Sequence, residues 1–242
     1  MFTAQSTLRS IALAQPATIR VFERLHLDYC CGGSRPLAQA CSEKGIETAD
    51  VLAALAAATA APQPDRDFSQ ATATELIRHI VATHHEYVKS ELPRLLPMAA
   101  KVAAKHGPIH PVYTQVNRQL QMLATELTNH LTKEELILFP YVEALDAFRN
   151  SNGSAPHACF STVESPIQMM VTEHEAAGSL LDQMRSATAN FTSGEGACPT
   201  TVGLLAGLDA FERDLHRHVH LENNLLFPMA IAMEKELTVA HA

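Results

Sequence analysis

His130-Leu-Thr-Lys-Glu134-Glu-Leu-Ile-Leu-Phe139-Pro140 returns 88 residues later as His218-Val-His-Leu-Glu222-Asn-Asn-Leu-Leu-Phe227-Pro228. Both copies read His-x3-Glu-x4-Phe-Pro. A weaker echo precedes each: His85-Glu86 with Ser90 and Leu92, then His174-Glu175 with Ser179 and Leu181, 89 residues apart. A duplicated unit follows from this, each half supplying one His from an earlier segment and a His-x3-Glu pair from a later one.

Apolar spacing says how these segments fold. Val116, Leu120, Leu123, Leu127, His130, Glu134, Ile137 and Tyr141 are separated alternately by three and four residues, the period of a helical face turned to a core. Leu208, Phe211, Leu215, His218, Glu222, Leu225 and Met229 repeat it, which leaves His216 and His220 off the seam. Two neighbouring histidines, His84 and His85, both fit an apolar row in the first segment; alignment with His174 favours His85. His79, His84, His106, His110, His157, His216, His220 and His241 read as surface or loop residues.

Strand signals are weak, because Ala, Leu, Glu and Met dominate the long segments. Thr72-Ala-Thr-Glu75 has capping-box spacing and opens a helix predicted to reach about residue 105, where His-Gly-Pro-Ile-His-Pro breaks it. Further helices are predicted over about 112–149, 166–190 and 201–237. Four helices with three connections make an all-α chain with an antiparallel four-helix bundle. Ahead of it, an alanine-rich helix over 49–61 runs into Ala-Pro-Gln-Pro-Asp-Arg-Asp, a linker composition. The predicted division is a small helical domain over 1–65 and a bundle over 66–242.

Carboxylates in an apolar seam need compensation, since a buried unpaired charge costs several kcal/mol or shifts its pKa until it is neutral. Residues i and i+4 project from one helix face one turn apart, so two His-x3-Glu pairs and two further imidazoles can converge inside the bundle. His85, His130, Glu134, His174, His218 and Glu222 would give each of two metal ions two nitrogens, with both carboxylates bridging. Positions then remain for an oxo or hydroxo bridge and a small exogenous ligand. Such a donor set suits Fe, Mn or Zn, and spacing does not choose among them. Glu126, one turn before His130, and Glu173, beside His174, are candidate hydrogen-bond acceptors or proton relays.

In the N-terminal unit, Asp28-Tyr29-Cys30-Cys31-Gly32-Gly33-Ser34 stands between helical segments, with Ser34 a candidate N-cap. Cysteines just before a helix N-terminus have a lowered thiol pKa, which makes Cys30 and Cys31 candidates for reactive or metal-handling thiols. Cys41 reads as core. Five cysteines, two of them adjacent, make a poor disulfide framework and favour reduced thiols.

Composition excludes other classes. Eighteen Lys and Arg against 26 Asp and Glu give a net charge of −8, with no basic footprint for nucleic acid. No apolar run reaches the roughly 20 residues that a membrane span needs, and the N-terminus lacks a secretory pattern, so the expected address is cytoplasmic and no membrane partner is expected.

Leu-Asp-Tyr-Cys-Cys-Gly-Gly near the N-terminus, together with the two His-x3-Glu-x4-Phe-Pro repeats, resembles the RIC or ScdA family of di-iron proteins that repair iron centres. The resemblance covers nearly the whole chain. It implies a haemerythrin-like bundle with two non-haem irons, held by His85, His130, Glu134, His174, His218 and Glu222, and a functional pair at Cys30 and Cys31. It further implies repair of iron–sulfur clusters damaged by nitrosative or oxidative stress, through iron donation or through binding of nitric oxide or its reduction to nitrous oxide. Implied partners are damaged iron–sulfur proteins and a small diatomic ligand, NO or O2, with a homodimer as one assembly state. Two rival readings stay open: a haemerythrin-type carrier or sensor of O2 or NO without turnover, and a regulatory module with structural zinc.

Overall fold

A computed structural model describes residues 2–60, 68, 70–151 and 156–240. Among these the chain is helical, and its extended pairing is an isolated bridge between Thr7 and Pro36. The N-terminal part holds α1 (Leu8–Ala14), α2 (Ile19–Arg24), α3 (Leu37–Lys44) and α4 (Thr48–Ala60). Leu8, Ile11, Phe22, Leu37, Cys41 and Leu55 close its own apolar cluster. The boundary expected near residue 65 lies outside the described residues.

Four long arms follow. The first joins α5 (Ala73–Ile80) to α6 (Glu86–His106), and the second joins α7 (Val112–Lys133) to α8 (Phe139–Ser151). The third is α9 (Glu164–Ala187), and the fourth joins α10 (Pro199–Leu221) to α11 (Phe227–Ala240). The predicted capping box opens α5: Thr72 accepts from the Glu75 backbone N–H, and Glu75 accepts from that of Thr72. Helix α6 packs on α7 and α10, α7 on α9, and α8 on α5 and α11, as in an antiparallel bundle.

A single turn of π-helix interrupts three arms, at Val81–His85, Glu134–Leu138 and Glu222–Leu226. In each, a backbone N–H reaches five residues back, from Glu86 to Val81, Phe139 to Glu134 and Phe227 to Glu222. Such a turn inserts one residue into the helical period. The uninterrupted seams predicted from sequence therefore break at this level. Ile137 is 45% exposed and Leu138 takes the core position at 2%; in the fourth arm Leu226 is buried in place of Leu225.

The bundle core is correspondingly in two parts. One apolar cluster includes Val88, Leu120, Leu127, Leu181, Leu208 and Leu215, the other Ile80, Leu138, Val142, Ile167, Leu226 and Phe227. Along every arm the predicted metal-ligating side chains fall between the two.

Candidate metal centre

His85, His130, Glu134, His174, His218 and Glu222 meet in this intermediate layer, none more than 1% exposed. Their donor atoms form two sets, each spanning at most 4.8 Å: His85, His218 and both carboxylates, and His130, His174 and both carboxylates. Glu134 lies 3.5 Å from His85 Nε2 and 3.3 Å from His130 Nε2, while Glu222 lies 2.8 Å from His218 Nε2 and 3.0 Å from His174 Nε2. Both carboxylates thus stand between the two imidazole pairs.

Hydrogen bonds at the outer ring nitrogens fix how three imidazoles face the cluster. His85 Nδ1 donates to Glu135 at 2.7 Å, His130 Nδ1 to Glu173 at 2.8 Å and His174 Nδ1 to Asn223 Oδ1 at 2.9 Å. With Nδ1 carrying the proton, the Nε2 lone pairs point inward. The facing nitrogens are close: His85 and His218 Nε2 are 3.2 Å apart, and His174 and His130 Nε2 are 3.0 Å apart. Two ring nitrogens at that distance need a proton or a metal cation between them. Donors at right angles around an ion with bonds of about 2.1 Å would sit about 3 Å apart. Glu134 adds a second sign, since neither of its buried oxygens has a hydrogen-bond partner among the described residues. Imidazole and carboxylate in this arrangement fit a pair of borderline divalent metals such as non-haem iron.

Protonation follows the same field. Burial opposes the charged form of His130, but Glu134, Glu222 and Glu173 raise its pKa to about 9. His85 is raised likewise by Glu222, Glu134 and Glu135 against the same burial, whereas burial dominates at His218 and lowers it. Glu222, despite burial, is held well below the usual carboxylate range by His218, His174 and His85.

The remaining predicted residues divide. Glu173 joins the layer through His130 and is also paired with Lys133. Glu126 is exposed on α7, and among the described residues no hydrogen bond brings it to the cluster. Cys30 and Cys31 are free thiols with sulfurs 4.0 Å apart, Cys30 buried and Cys31 half-buried. They do not lie at a helix N-terminus as expected: α3 begins only at Leu37, and Asp28 organises the loop by accepting from the backbone N–H groups of Cys30, Cys31 and Gly32. The hydrogen bond to Cys31, burial and the Asp28 carboxylate push the Cys30 thiol up, opposite to the lowering that a helix N-terminus would produce.

The Cys loop is docked on the bundle. Glu23 takes a two-pronged contact from Arg217, at 2.6 and 2.9 Å, and Asn224 Nδ2 donates to the Tyr29 carbonyl at 3.3 Å. Beside this contact lies a cavity of about 500 Å³ whose lining includes Asp28, Cys30, Cys31, His174, Glu175 and His216. Both thiols and one cluster residue, His174, border it. His84 and His220, expected at the surface, are instead buried at 5% and 3% exposure. His84 sits on the π turn, bonded to Asp214 at 2.9 Å, and His220 lies under Tyr29, bonded to Asn224. Glu135 and Asn223 were not singled out by sequence reasoning, although each directly follows a cluster carboxylate in the repeat.

Comparison with known proteins gives concordant matches. Residues 76–230 match the hemerythrin HHE cation binding domain, and residues 4–59 match ScdA_N, a domain of unknown function (DUF542). Among curated proteins, the iron–sulfur cluster repair protein YtfE of Yersinia pestis (strain Pestoides F) is 35% identical over 228 residues, covering 94% of this chain and 97% of the relative. YtfE of Yersinia pseudotuberculosis serotype O:1b (strain IP 31758) gives the same figures. Among the described residues no helix is long and apolar enough to cross a membrane.

Proposed function

This chain belongs to the iron–sulfur cluster repair family of haemerythrin-like bundles with an N-terminal Cys-Cys-Gly-Gly unit, and from that premise we propose that it repairs damaged clusters by giving up iron held between His85, His130, Glu134, His174, His218 and Glu222. In this reading Glu134 and Glu222, which stand between the two imidazole pairs, would serve both positions. When bound, a pair of non-haem irons supplies exchangeable coordination positions and one-electron chemistry. The division of labour falls along the two units, 1–65 carrying the thiols and 66–242 the iron.

The observation that carries the reading is the cavity shared by His174, Cys30 and Cys31. It is an opening, with Asp28, Glu175 and both thiols on its wall, at one side of a layer that apolar clusters cover above and below. As an iron(II) leaves, the imidazoles take up protons, favoured at His130 by Glu134, Glu222 and Glu173. Cys30 and Cys31 lose protons as they receive the ion, because the thiolate is the metal ligand. Glu173 holds the His130 ring in place, and its exposed edge with Lys133 leaves it able to exchange protons with solvent.

A second reading, removal of NO by binding or reduction, is favoured by those same apolar clusters, which a small uncharged diatomic crosses more readily than an ion does. The test is transfer to an apo-ferredoxin with a sulfide source under anaerobic conditions, followed by the cluster's visible absorbance. The iron-loaded chain should restore the cluster, and the Cys30→Ser, Cys31→Ser variant should do so more slowly. Equal rates with and without the thiols would remove their role. No restoration, with nitrous oxide formed from NO by the same sample, would replace the first reading by the second.

A further inference from the structure

The two halves of the repeat are unlike in one respect that bears on which ion leaves first. Residue 173, just before His174, is Glu, and its carboxylate secures His130 Nδ1 at 2.8 Å. The corresponding residue before His85 is His84, which faces His218 as a ring and not as a hydrogen-bond acceptor: the two rings are parallel within 2°, with centroids 5.7 Å apart. His84, however, directs its Nδ1 to Asp214 Oδ1 at 2.9 Å. His218 Nδ1, fully buried, has no hydrogen-bond partner among the described residues. At the His130 and His174 position both imidazoles are anchored, by Glu173 and Asn223; at the His85 and His218 position only His85 is, by Glu135.

We propose that the two metal positions are inequivalent, and that the ion held by His85 and His218 is the loosely bound one, released ahead of its neighbour, because His218 lacks the acceptor that Glu173 gives His130. This rests on the assignment of the six ligands made above. An acceptor on the outer nitrogen orients the ring and raises its basicity, and its loss lowers metal affinity by about 10 to 100-fold. A glutamine at 84 has the length of Glu173: its carbonyl oxygen can accept from His218 Nδ1 while its amide donates to Asp214, which makes good the missing contact without adding charge.

The experiment is anaerobic release of iron(II) from the reconstituted full chain into an excess of a coloured chelator, followed by absorbance. Two phases of one iron each are expected, differing in rate by about 10 to 100-fold. His84→Gln should slow the fast phase and leave the slow one, and Glu173→Ala should quicken the slow phase until the two merge. A single phase carrying two irons overturns the inequivalence and leaves the ligand assignment standing. So does a fast phase unchanged in His84→Gln when that variant melts at the wild-type temperature. If His84→Gln does not fold, Glu173→Ala decides: phases that stay apart overturn the proposal. A chain that takes up no iron overturns the ligand assignment and the inequivalence together.

Discussion

Stripped of metal by a chelator, the chain should lose stability as pH rises from 6.5 to 9, whereas the iron-loaded chain should not. The reasoning starts at His130. Burial disfavours its imidazolium, but Glu134, Glu222 and Glu173 lift its pKa from 6.5 to about 9. At about 1.36 kcal/mol per unit, that amounts to about 3 kcal/mol. A raised pKa stabilises the fold fully below the unfolded value of 6.5, and the contribution is lost as pH climbs through 9. With about 2–4 °C per kcal/mol for a chain of this size, the melting temperature of the stripped protein should fall by on the order of 10 °C over that range. Metal ligation needs the same imidazole neutral, so protons and metal compete, and affinity for iron should rise over the same pH range. Thermal melts of both forms at half-unit pH steps therefore should diverge. In stripped Glu134→Gln the slope should flatten, since the largest charge holding the proton is gone. Parallel curves, or a stripped protein as stable at pH 9 as at 6.5, would refute the argument. On the acid side, burial and Arg9 lower His220 to about 4, so its contribution is present above pH 6.5 and lost as pH falls towards 4.

Away from the centre, Cys198 precedes α10, with Thr201 Oγ1 and His106 Nε2 both 3.3 Å from its sulfur. The Thr201 contacts and His106 lower its pKa to about 6, so at pH 7 iodoacetamide should label Cys198 before the exposed Cys159, and the rate should drop below pH 6; peptide mass spectrometry reads the order, and equal labelling would contradict it. A methyl group at Gly33 would stand 2.5 Å from the Tyr29 carbonyl oxygen and 3.1 Å from Arg9 Cβ. Gly33→Ala should therefore cost about 1–3 kcal/mol by urea unfolding, and an unchanged midpoint would mean that the thiol loop shifts freely.

The all-α architecture and the six cluster residues are legible in the sequence because a helical period and a 88-residue repeat report directly on which side chains share a face. What escapes is what depends on departures from that period or on docking. Ile137 fits the seam on a regular helix, and only the π turn at Glu134–Leu138 moves Leu138 into its place. His84 looks redundant beside His85 for the same reason, since one inserted residue lets both turn inward. His220 is polar and off the seam, and its burial comes from Tyr29, a residue some 190 positions earlier whose approach no local pattern reveals. The Cys loop is misjudged because a helix was expected to begin at Ser34; Asp28 supplies the backbone partners instead, and its carboxylate stands beside the thiols.

The three π turns also bear on how such a layer can be built. Each adds one residue to an arm at the level of the cluster, so the arm's two halves are out of phase by about 100°, one residue's rotation. Either half can then repeat as an ordinary amphipathic helix, indifferent to the phase of the other. For protein design this turns a difficult problem into three local insertions: a regular bundle keeps both of its apolar ends, and the π turns hold His85, Glu134 and Glu222 beside the His130, His174 and His218 that the regular helices supply. The converse is that the apolar ends tolerate what the layer does not: deleting a single residue between Glu134 and Leu138 would return the arm to a regular period in which Leu138, Val142 and Leu145 still face the core, while the turn that carries Glu134 would be lost.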